Sequence, residues 1–62
     1  MAKVIGVNKK ALFVNVITSE IEKTVLLANL YRSKSKTQIS ACFYQFYFTS
    51  LSDMEQFACS IG

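Results

Sequence analysis

The sequence predicts a small α+β domain, and three observations carry that prediction. Near the N-terminus, two β-branched runs flank the polar triplet Asn8-Lys9-Lys10. Mid-chain, Ile39 to Phe48 gathers Phe43, Tyr44, Phe46, Tyr47 and Phe48. Toward the C-terminus, Leu51, Met54, Phe57, Ala58 and Ile61 recur at spacings of three and four. The expected order is β-β-α-β-α, a small antiparallel or mixed sheet of three strands with both helices on one face. The competing order is a four-stranded meander closed by one C-terminal helix. Either fits a single domain over residues 1–62.

Residues 2–7 form the first expected strand, with Val4, Ile5 and Val7, and residues 11–17 the second, with Phe13, Val14, Val16 and Ile17. Three polar residues between them read as a hairpin turn, in which Asn8 tolerates the left-handed conformation. Residues 20–31 follow. Ser19 and Glu22 have the spacing of a capping box, and Glu20 and Glu22 lie at the positive end of a helix dipole. Leu26, Leu27, Ala28 and Leu30 favour helix. A strand reading puts Ile21, Val25, Leu27 and Tyr31 on one side; the cap favours helix. Residues 32–36 read as a basic polar loop. Residues 39–48 then make the clearest strand. Odd positions carry Phe43, Gln45 and Tyr47, even ones Tyr44, Phe46 and Phe48, so both faces hold rings and the strand should be central or covered. In the last helix, Ser50 with Asp53 or Ser52 with Glu55 offers a capping box.

A chain of 62 residues buries only about 60% of its unfolded surface, so its stability margin is thin. Two cysteines, Cys42 and Cys59, allow at most one disulfide, and there is no histidine. They are expected as free core thiols in a reducing cytoplasm. Neither a metal site nor a cofactor is expected, and oligomerisation remains as the stabilising device. No uninterrupted apolar run exceeds four residues, so no membrane segment is expected.

Catalysis is not expected. The commonest general base near neutral pH is missing, no glycine-rich phosphate loop is present, and all four acids fall in first turns of expected helices, where capping explains them. The expected function is a non-enzymatic interaction module that docks on a protein partner as a regulator or inhibitor, with a homodimer as the simplest assembly. Phe43, Tyr44, Phe46, Tyr47 and Phe48, with one sheet edge, would make the contact. The alternative is a single-stranded DNA or RNA binder. There, Tyr44, Phe46 and Phe48 stack on bases, and Arg32, Lys34 and Lys36, with Lys9 and Lys10, meet phosphates. The expected topology separates the two basic clusters to opposite ends of the sheet, which weakens the alternative. So does the mild net charge of +3.

Overall fold

A computed structural model describes residues 2–28 and 33–61. The order is β1 (Lys3–Asn8), β2 (Phe13–Ile17), α1 (Glu20–Ala28), β3 (Ser35–Ser40), β4 (Phe43–Tyr47) and α2 (Leu51–Ile61). The four strands form one antiparallel sheet in the order β1-β2-β4-β3. β2 and β3 therefore run parallel, with β4 between them. The three-strand expectation is corrected: the sheet has the four strands of the competing order and the two helices of the favoured one.

The missing strand has a physical explanation. β3 reads Ser-Lys-Thr-Gln-Ile-Ser and is exposed at every position. An edge strand under no helix buries nothing, so it carries no alternation for a sequence reading to detect. The expected strand 39–48 is two strands broken at Ala41-Cys42. Two-residue hairpins usually advertise themselves with glycine or asparagine at positive φ. Here neither turn residue has positive φ, and the register of β3 shifts between Gln38 and Ser40 just before the turn. Tertiary bonds hold the turn instead: Tyr44 Oη donates to the Ala41 carbonyl at 3.4 Å, and the Thr18 amide to the Cys42 carbonyl at 2.9 Å.

The first hairpin also departs from expectation. Asn8 ends β1, and its side-chain oxygen accepts the amides of Lys10 (3.0 Å) and Ala11 (2.8 Å). The left-handed residue is Leu12, at φ 58°. That conformation costs a branched residue on the order of 1–2 kcal/mol. Two anchors hold it: the Leu12 side chain packs against the core, and its carbonyl accepts the Phe48 amide at 2.8 Å.

Segment 20–28 is helical, while Tyr31 and Arg32 lie outside the described residues. The Ser19 hydroxyl accepts the Glu22 amide at 3.2 Å, as the cap requires. Glu20 pairs with Lys23 at 3.0 Å; this hydrogen-bonded carboxylate holds the Lys23 ammonium above its ordinary pKa. In α2 the cap is Ser50, whose hydroxyl accepts the Asp53 amide at 3.2 Å. Ser50→Ala should cost about 1 kcal/mol, a fall of about 4–8 °C in Tm. Ser52→Ala, on the first turn but exposed, should move stability by less than about 0.5 kcal/mol. Thermal melts of both variants decide between the two capping boxes the sequence offers.

The core lies on one face of the sheet. β2 contributes Val14 and Val16 and β4 contributes Tyr44 and Phe46, paired as Val14 with Phe46 and Val16 with Tyr44. Leu26 from α1, Met54 and Phe57 from α2, and Phe48 complete it, so both helices serve the same face. Phe57 meets Phe46 edge-on and Phe48 at a tilt, each at 5.1 Å between centroids. The cysteines are unbridged, but the expectation of core thiols is corrected: Cys42 is half-buried in its turn and Cys59 is exposed on α2. Among the described residues, no helix is long and apolar enough to cross a membrane.

Candidate functional site

Strand parity divides the five rings of the predicted contact strand. Tyr44, Phe46 and Phe48 are 2%, 0% and 5% exposed and lie under the helices. They fill the core, so the predicted contact and base-stacking roles of these three are corrected: a ring with no exposed surface offers a partner nothing. Phe43 and Tyr47 point to the other face and are half-exposed. The bulk that α2 and α1 demand chose the even positions, and a single sequence with rings on both parities carries no mark of which side the helices take.

The open face joins residues that the sequence reading kept apart. Phe13 of β2 stands opposite Tyr47, with centroids 5.8 Å apart and planes tilted by 56°. Asn15 stands opposite Gln45, and Gln45 Nε2 donates to Asn15 Oδ1 at 2.8 Å. Tyr47 Oη donates in turn to Gln45 Oε1. Ile17 stands opposite Phe43. The face thus runs from a ring pair, through a short amide chain, to a second apolar pair. Gly6 opposes Asn15, and a Cβ there would sit 3.2 Å from the Asn15 amide nitrogen, so its bare backbone leaves that side chain room. The hairpin pattern accounts for Phe13 as strand filling and marks no further role for it; its pairing with Tyr47 across 34 positions of chain is a tertiary fact.

The basic groups also fall differently from expectation. Asn8 pairs with Phe13, Phe13 with Tyr47, and Tyr47 with Ser35. Lys9 and Lys10 follow Asn8, and the Lys34 amide donates to the Tyr47 carbonyl at 2.8 Å. Both clusters therefore lie at one end of the sheet, the end of the Phe13–Tyr47 pair, and the predicted separation to opposite ends is corrected. The reason is the extra strand. β3 and β4 form a hairpin, which places the start of β3 beside the end of β4. Lys36 opposes Phe46, on the covered-face parity, and Arg32 is outside the described residues.

A second unusual surface is the backbone edge of β3. Ladder parity sets the outward groups of β3. The Phe48 and Thr18 amides bond across β2 and β4, so the backbone groups of Phe43, Gln45 and Tyr47 turn toward β3. Ser35 and Thr37 answer them, and the amides of Lys36 and Gln38 point away from the sheet. Ile21 and Val25 on α1 are 89% and 61% exposed, and Ile39 is 54% exposed.

Among the described residues, no group of three or more metal-ligating side chains gathers. The site and fold define a class: a helix-backed, four-stranded antiparallel sheet with one open face and two edge strands, β1 and β3. Comparison with protein-family models, with curated proteins and with solved structures finds no match.

Proposed function

We propose that this chain is a small non-enzymatic interaction module that acts by edge pairing on a protein partner, as a regulator or inhibitor, with a second copy of itself as the simplest occupant. The observation that carries the reading is β3, exposed at all six positions with the Lys36 and Gln38 amides directed outward. A row of unpaired amides and carbonyls is a template for another strand. Two copies of β3 meeting antiparallel about a two-fold axis at Thr37 oppose Lys36 to Gln38, so the only charge on the strand does not face itself. Ile39, on the strand itself and 54% exposed, adds apolar area to such a contact. The bulge beside Ile39 limits the pairing to a short stretch, which suits a reversible contact.

The test is sedimentation of the purified chain across a hundredfold concentration range. Mass should rise toward twice 7.0 kDa. Gln38→Pro removes an outward amide and leaves the bonds to β4 intact, so it should hold the chain monomeric with an unchanged circular-dichroism spectrum. A dimer that survives Gln38→Pro, or a wild-type chain that stays monomeric at millimolar concentration, rules out self-pairing through β3.

A further inference from the structure

The open face points away from the edge just described and has a different chemistry. We infer that it binds single-stranded nucleic acid, with bases lying on Phe13, Tyr47 and Phe43 and phosphates meeting Lys9, Lys10 and Lys34.

Three observations converge. The central strands present half-exposed rings at both ends of a stripe five residues long, about 13 Å at roughly 3.3 Å per step. A sheet surface of that length suits two or three bases laid on aromatic side chains. The topology brings Lys9, Lys10 and Lys34 to the end where the Phe13–Tyr47 pair sits, and Lys3, opposite Ile17, lies at the other end of the same face. All four acids of the chain are elsewhere: Glu20 and Glu22 on α1 and Asp53 and Glu55 on α2, the helices that serve the covered face. A face with rings, lysines and no carboxylate is complementary to a polyanion with unpaired bases.

The polar groups of the face predict how the strand is read. Asn15, Gln45 and Tyr47 bond one another in series, which fixes their orientation across the strands and leaves only scattered amide hydrogens for base edges. Recognition then rests chiefly on the flat faces of bases and on phosphate charge. Binding should tolerate any sequence, accept either sugar, and exclude a duplex, whose bases are stacked away from the rings.

Fluorescence anisotropy with labelled twelve-residue oligothymidylate and oligouridylate tests this on the full chain. Both should bind within about threefold of each other and at least tenfold more tightly than a duplex of equal length. With three phosphate contacts, log K should fall against log salt with a slope of about −2. Lys9→Glu with Lys34→Glu, both at exposed positions, should abolish binding while the circular-dichroism spectrum stays as in the wild type. Phe13→Ala should weaken binding about tenfold. Gln38→Pro should leave it unchanged, which separates this face from the β3 edge. Equal affinity for duplex, restriction to one sugar, or full affinity in the charge-reversed variant overturns the inference.

Discussion

Phe46→Ala is expected to remove about 3–5 kcal/mol of folding stability, a third or more of what this chain holds. Phe46 has no exposed surface and packs against Phe57 edge-on and Tyr44 in parallel at 6.0 Å. Removing a buried phenylalanine costs about 3–5 kcal/mol, because the transfer term is lost and the cavity only partly collapses. A chain of 62 residues holds a total stability on the order of 3–9 kcal/mol. The substitution therefore removes from about a third to all of it. Phe43→Ala, three residues earlier on the open face, should cost only about 1–2 kcal/mol, since the ring is half-exposed already. Urea titrations of the two variants followed by circular dichroism give the comparison. Equal losses at the two positions would refute the parity on which the open face depends.

Met54→Lys is expected to abolish folding outright, while Glu55→Lys, one residue on, changes stability by at most about 1 kcal/mol. Met54 is fully buried between α2 and the sheet, and Glu55 is exposed. Lysine and methionine have similar helix propensity, so the helix itself is indifferent to the change. Burying an ammonium without a partner costs several kcal/mol, added to the loss of a buried apolar side chain. At position 55 the same lysine stays in water. There it meets only the positive end of the helix dipole, an effect of about 0.3–1 kcal/mol. The heteronuclear NMR spectrum distinguishes the outcomes: collapsed amide dispersion for Met54→Lys and a near-native map for Glu55→Lys. A dispersed spectrum for Met54→Lys would mean that α2 is not docked through this residue.

The two helices and both their N-termini were legible because their signals are local. Ser19 and Ser50 cap through bonds that span three residues, and Met54 and Phe57 repeat with the helix. The hairpin of β1 and β2 was legible for the same reason, although its left-handed residue proved to be Leu12 rather than Asn8. Less of the candidate site could be read. Phe43 and Tyr47 were identified with three neighbours that belong to the core, and Phe13 was not identified at all. The residues of β3 carry the signature of a loop followed by the start of another strand, because a strand that buries nothing and turns without glycine has no local mark.

The class of fold, the helices and the central position of the ring-bearing strand follow from spacing, capping and side-chain bulk within a few residues. Tertiary structure alone decided which parity of rings faces outward, that a polar hexapeptide pairs as the edge strand, and that two lysine clusters 24 residues apart share one end of the sheet. Each of these depends on which strand lies beside which, and pairing across the sheet is set by the packing of the whole chain rather than by any stretch of it.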